Sequence, residues 1–319
     1  MRALLFPLLG AVFFLSGLRA EPEEALLFSP VAEAPEWRLL DPGPGKLTRA
    51  EFEKRLQGTV DPKGALLPYL LYDDGGVTLF RDTARTRPLT RLKFAGESAP
   101  VPAAWLAGGD PTRPLAGKTI ALDPGHIGGD WADIEERTFR IGRDQPVVEG
   151  ELNLRVCRIL DRHLQEAGAR VVWTHQGFQP TTPLRPADLY PEAIEYLLQG
   201  ARGARLPRYS ANRLIRWNAE LLFYRSAEIQ ARARRVNEEL RPDLTLCIHY
   251  NAAPWPGGRM RLTSANRLVI FSHGSYTAEE LAFDDQKFQL LRKLLENSTP
   301  VELGVGAAIG EQFQKRWGF

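Results

Sequence analysis

The stretch TIALDPGHIGG, residues 119–129, decides how the rest of the chain is read. Ile120-Ala121-Leu122 is a short apolar run of the kind a buried strand presents. It stops at Asp123-Pro124-Gly125, and His126 follows at once, with Gly128 and Gly129 behind it. Glycine lets the backbone turn sharply and keeps side chains out of an approach path. Taken alone, His126 could simply hydrogen-bond a strand-end loop. Whether it does more depends on what the rest of the chain brings beside it.

Outward from this stretch, strands alternate with helices. A strand over 118–122 is followed by a helical stripe at Leu152, Val156, Ile159, Leu160 and Leu164 within 149–167, ended by Gly168. RVVWT (170–174) reads as a strand, 211–240 as helix broken by Pro242-Asp243, and LTLCIHYNA (244–252) as a strand running into His249. A further strand is expected at 267–271 and a helix at 279–296. Residues 177–225 hold no clear strand and are expected to form helical insertions. This order predicts an α/β domain with a mostly parallel sheet flanked by helices.

Before it, residues 21–47 form an irregular leader rich in Pro, Glu and Ala. Thr48-Arg49-Ala50-Glu51 has the capping-box pattern and predicts a short helix over 49–57. YLLYDDGGVTLF (69–80) reads as two strands around a turn. These predict a small N-terminal α+β module over 21–97, a Pro- and Gly-rich linker over 98–117, and the α/β domain over 118–319.

The first 20 residues carry Arg2, an apolar run over 3–18 and a small residue at Ala20. They read as a signal peptide, and place the protein in the periplasm or cell envelope after export. An uncleaved anchor is the alternative, although the run is short for a span. No other stretch is apolar enough to cross a membrane. Cleavage after Ala20 removes Arg2 and Arg19 from the 41 basic residues and none of the 39 acids, so the mature chain is formally neutral. No global basic field exists to bind nucleic acid. Residues 201–241 carry ten arginines against four glutamates, either a face for an anionic polymer or a solvated helix face. Nothing fixes an oligomeric state. Cys157 and Cys247 are too few for a disulfide framework and read as two buried free thiols, with a single disulfide in an oxidising compartment as the alternative.

In a parallel sheet His126 and His249 end neighbouring strands on one edge, where sites in such sheets gather. Two imidazoles there can share a metal ion. Zinc favours such ligands with a carboxylate as third. Glu149 and Glu151, at the start of the helix after the His126 loop, both qualify by position. Asp123 is placed to orient the loop or a ligand histidine. His163 reads as exposed. His175 and His273, each just past a strand, read as loop residues within possible reach of the site.

Three segments in order, IALDPGHIGG, EGELNL and LTLCIHYNA, resemble the signatures of the zinc-dependent N-acetylmuramoyl-L-alanine amidases of bacterial cell-wall turnover. The likeness covers about 118–296. It implies zinc held by His126, Glu149 and His249, with Glu151 at a variable position. It also implies supporting or substrate roles for Asn251, Arg232 and Asn237, and peptidoglycan as substrate. The loop after His126 is longer than the family pattern, through DWADIEERTFRIGRDQPV, which implies a groove of altered shape. Cys247 replaces a common serine. The resemblance also implies a late glutamate as general base for the attacking water. Glu302 in TPVELG is the match, but Thr299-Pro300-Val301-Glu302 equally opens a helix with proline in its first turn. Val305, Ile309, Phe313 and Trp317 then mark an amphipathic helix, and the chain is expected to lack the family's final strand. Two other readings follow: a peptidoglycan-binding protein without the base, or another secreted zinc peptidase.

Overall fold

The computed structural model describes residues 27–40, 47–96, 110–200, 208–251, 264, 266–272 and 276–318. The expected signal peptide, most of the linker and His273 lie outside the described residues. The chain divides into two compact units. One runs over Leu106–Ser264; the other joins Ala20–Trp105 to Ala265–Phe319.

In the second of these units, helix α1 (Arg49–Arg55) begins where the capping box predicts: the Thr48 side chain accepts a hydrogen bond from the Glu51 backbone nitrogen at 3.2 Å. Strands β1 (Leu70–Asp73), β2 (Gly76–Phe80) and β3 (Pro88–Lys93) form an antiparallel meander. Leu70, Val77, Leu79 and Leu92 bury their side chains together with Phe52 and Leu56.

The Leu106–Ser264 unit is built on three parallel strands. These are β4 (Thr119–Pro124), β7 (Arg170–Trp173) and β8 (Leu244–Ile248), in the order β7-β4-β8. Between β4 and β7 come a short antiparallel ribbon, β5 (Thr138–Phe139) with β6 (Val147–Val148), and helix α2 (Glu149–Glu166). Helices α3 (Tyr190–Gly200), α4 (Arg208–Leu222) and α5 (Glu228–Arg234) fill the segment before β8. This confirms the helical insertion expected from sequence. Two π-helical turns, Phe223–Ala227 and Arg235–Leu240, make 208–240 one continuous helical stretch, ended by Arg241 in the left-handed region.

Strand order reverses at β4. The chain passes from β4 through α2 to β7 on one side, while β8 pairs on the other. Ligands in open α/β sheets bind at such a crevice, outside the carboxyl ends of the strands. The sheet's core is Leu122, Leu154, Cys157 and Trp173, with Leu160, Leu164, Leu246 and Ile248 against it. The buried face of α2 is thus set by Asn153, Leu154 and Cys157. Ile159, expected on the apolar stripe, is 43% exposed. The helix is rotated so that its polar Asn153 faces the histidine loop.

Two sequence expectations are corrected at the C-terminal end. Helix α6 (Asp284–Glu296) packs on the antiparallel meander, where Phe288, Leu290, Leu291 and Leu294 join its core. A three-stranded sheet with one short helix needs a second layer to bury its apolar face, and α6 supplies it. The α/β domain therefore does not extend to residue 319. Residues 266–272 form no strand. Instead Ile270 lies against Gly306 of α7 (Thr299–Trp317), so closely that a Cβ at Gly306 would sit 3.0 Å from its Cγ2, and Phe271 is 81% exposed. Among the described residues no helix is long and apolar enough to cross a membrane.

Candidate metal centre

The strand-end loop is shaped to bring two imidazoles together. His126 adopts a positive φ of 64°, a conformation L residues rarely take. Gly125 just before it lies against the His249 ring; a Cβ there would fall inside the imidazole. On the other side, Gly128 and Gly150 bring the loop backbone against the first turn of α2, where a Cβ on Gly150 would come within 2.7 Å of the Gly128 nitrogen. These close approaches set Glu149 beside both rings.

Glu149 Oε1 lies 3.3 Å from His126 Nε2 and 3.3 Å from His249 Nδ1. It also accepts a hydrogen bond from the Tyr250 backbone nitrogen at 3.0 Å. The rings meet edge to face, centroids 5.0 Å apart. One ligand atom from each of the three residues falls within 4.8 Å of the others, so the cluster can hold a metal ion. Two imidazole nitrogens and a carboxylate oxygen form a donor set that suits zinc. His126 and Glu149 side chains are 14% exposed and His249 is 47% exposed, so the cluster opens on the β8 side.

Burial pushes the Glu149 carboxyl up, but hydrogen bonds from both imidazoles and from the Tyr250 backbone outweigh it and hold the group well below its ordinary range. Burial pushes His126 down, and the carboxylates of Glu135 and Glu149 outweigh that, leaving it raised.

Glu135 and Arg137, which sequence reasoning passed over, come from the long loop after His126. Glu135 is 2% exposed. It accepts from the Ile127 nitrogen at 2.9 and 3.0 Å and from the Gly128 nitrogen at 3.0 Å, and lies 3.5 Å from His126 Nδ1. Arg137 Nε donates to His126 Nε2 at 3.3 Å and lies 3.6 Å from Glu149 Oε2. The extra length expected to reshape a groove thus folds back on the first histidine. The signal for it was the acid-rich DIEER run.

Asp123 orients the loop and bonds neither imidazole. It accepts from Thr174 Oγ1 at 2.5 Å and faces Arg232 Nη1 at 3.3 Å. Arg232 is 7% exposed and clamps the strand end. It donates to the Pro124 carbonyl at 2.7 Å, the His126 carbonyl at 2.9 Å and Glu228 at 2.6 Å. Asn153 Nδ2 donates to the Gly125 carbonyl at 2.7 Å, while its Oδ1 is buried without a hydrogen-bond partner among the described residues. His175 faces the Pro124 carbonyl at 2.8 Å, so it touches the loop without joining the cluster.

Glu151, Asn237, Asn251 and His163 are exposed, and none is in the cluster. Glu302 sits in the first turn of α7, where Lys293 pairs with it and Ser298 Oγ donates to it at 3.0 Å. That is the helix-opening position, with Ser298 preceding the first turn. Cys157 is buried and Cys247 exposed, both as free thiols, which corrects the expectation of two buried ones. Comparison with known proteins finds no matching family model, no matching curated protein and no matching solved structure.

Proposed function

We propose that this chain is an exported zinc amidohydrolase that cuts the amide between N-acetylmuramic acid and L-alanine in peptidoglycan. The observation that supports a metal hydrolase is the convergence of His126, Glu149 and His249 at a strand-order reversal, open on one side. The resemblance of the three segments that carry these residues suggests the substrate, and the apolar run over 3–18 suggests export to the periplasm or cell envelope. A bound Zn²⁺ would polarise the scissile carbonyl and supply the attacking water in reactive form. The protein's own part is to hold the ion with three side chains and to leave the His249 side open for the polymer. Gly125 lets the His249 ring close on the loop, and Gly128 lets the loop close on the first turn of α2.

One observation favours a second reading, a wall-binding protein that does not cleave. Among the described residues, the carboxylates that touch His126 and His249 are Glu149 and Glu135, and both are engaged. Hydrolysis needs a further group to carry the proton to the leaving amine. Glu302, the resemblance's candidate, is held by Lys293 and Ser298.

Zinc content and dye release from purified cell walls, measured on one preparation, separate these readings. The enzyme binds zinc, solubilises the wall and generates new amino-terminal alanine. A binding protein pellets with the wall and releases nothing. New termini other than alanine would indicate a peptidase instead.

A further inference from the structure

Behind the cluster, His126 is held by a carboxylate that none of the foregoing chemistry uses. Glu135 is buried, and its two oxygens span three points of one short loop: the Ile127 and Gly128 backbone nitrogens and, at 3.5 Å, His126 Nδ1. A neutral imidazole has one N–H donor and one acceptor nitrogen, and its neighbours decide which is which. An ionised carboxylate only accepts, so the nitrogen facing Glu135 is the donor. Arg137 reports the same assignment from the opposite side of the ring. With Nδ1 the donor of the neutral ring, Nε2 is its acceptor: Arg137 Nε–H points at it from 3.3 Å, and the Glu149 Oε1 that also lies 3.3 Å from Nε2 takes a hydrogen bond from the Tyr250 nitrogen instead.

We propose that Glu135 is a positioning residue for metal capture: it keeps the His126 proton on Nδ1 and presents the Nε2 lone pair to the cluster shared with Glu149 and His249. The assignment of a metal to this cluster is the reading it builds on. By gripping the two backbone nitrogens that follow His126, Glu135 also stabilises the positive-φ turn on which the ring stands. The two histidines are therefore unequal. His126 is fixed in tautomer and direction before any ion arrives, whereas His249 is half-exposed, with Glu149 at its Nδ1 and His126 and Gly125 against its ring. Partners behind ligand histidines commonly change metal affinity by about 10–100-fold.

The test combines ring-nitrogen NMR on the full-length protein with zinc affinity measured against a chromophoric chelator. In metal-free wild type at alkaline pH, His126 should carry its proton on Nδ1. Glu135→Gln keeps the side chain's size and one oxygen for the backbone, but presents an amide N–H to the ring. It should shift the proton toward Nε2 and weaken zinc by about 10–100-fold, with the His249 ring signals unchanged. Glu135→Asp, too short to span both the backbone and the ring, should lose affinity while holding Nδ1–H less firmly. A wild-type proton on Nε2 overturns the proposal, and so does a Glu135→Gln protein with unchanged tautomer and zinc affinity. If a variant fails to fold, the wild-type tautomer decides alone. If wild type binds no zinc, the metal reading falls, and the tautomer still decides the role of Glu135 toward the ring.

Discussion

The Tyr250 backbone nitrogen donates to the Glu149 carboxylate at 3.0 Å, tying the residue after His249 to the first residue of α2. One carboxylate thereby links a helix start to the ends of two neighbouring strands. Replacing Glu149 with alanine removes a ligand and this tie together. The variant should emerge from gel filtration without zinc, and His249→Ala should do the same. A Glu149→Ala protein that retained stoichiometric metal would show that the ion sits elsewhere.

Gly125 has no room for a side chain beside the His249 ring. Gly125→Ala must push β8's tip away from β4 or rotate the imidazole out of the cluster. Overpacking of this kind costs about 1–3 kcal/mol, and the displaced ring should weaken zinc binding by at least tenfold. Chemical denaturation and chelator competition check the two effects separately. Wild-type values in both would mean the loop is looser than this packing implies.

Arg232 is the clamp under the loop. Arg232→Met would leave the Glu228 carboxylate, 3% exposed, without its partner at 2.6 Å. It would also release the Pro124 and His126 carbonyls. Removing one side of a buried ion pair costs about 3–5 kcal/mol. Arg232→Lys should recover little, because one ammonium cannot span three acceptors set apart as a guanidinium requires. Unfolding midpoints in urea test this, and a lysine variant as stable as wild type would contradict it.

The cluster's titration sets a pH pattern for the metal-free protein. His126 is raised above its ordinary 6.5, so its contribution to stability is complete below 6.5 and is lost as pH rises through the raised value. Glu149 is lowered from 4.5, so its contribution is complete above 4.5 and is lost as pH falls through the lowered value. Metal-free protein should therefore gain most from these groups between 4.5 and 6.5. Zinc must displace the His126 proton, so its apparent affinity should climb with pH through the raised value and level off above it. Thermal unfolding with and without zinc across this range reads both trends. A metal-free optimum on the alkaline side would contradict the raised imidazole.

Much of the site was legible in the sequence, because strand ends are. Ile120-Ala121-Leu122 and Leu244–Ile248 announce themselves by apolar runs, and a histidine just beyond each lands on one sheet edge once the strands are parallel. Asp123 was visible at the strand end, and the structure sets it against Thr174 and Arg232. Glu135 did not, because its partner nitrogens belong to a turn whose path depends on the positive φ of His126. The rotation of α2 was misread because Val156 and Ile159 look as apolar as Leu160. Its actual buried face is chosen by Asn153 reaching the Gly125 carbonyl and by Cys157 packing with Leu122, Leu154 and Trp173. Helix α6 carries a clear amphipathic stripe, but a stripe does not say which sheet it covers. Here the antiparallel meander, short of a second layer, takes it.

The central claim is that His126, Glu149 and His249 share one ion. Zinc-edge X-ray absorption on protein loaded with a single equivalent tests it most directly. The account predicts imidazole scattering from two histidines with nitrogen at about 2.0–2.1 Å and oxygen at about 2.0–2.2 Å. A sulfur shell at about 2.3 Å, or a spectrum without histidine scattering, would contradict it.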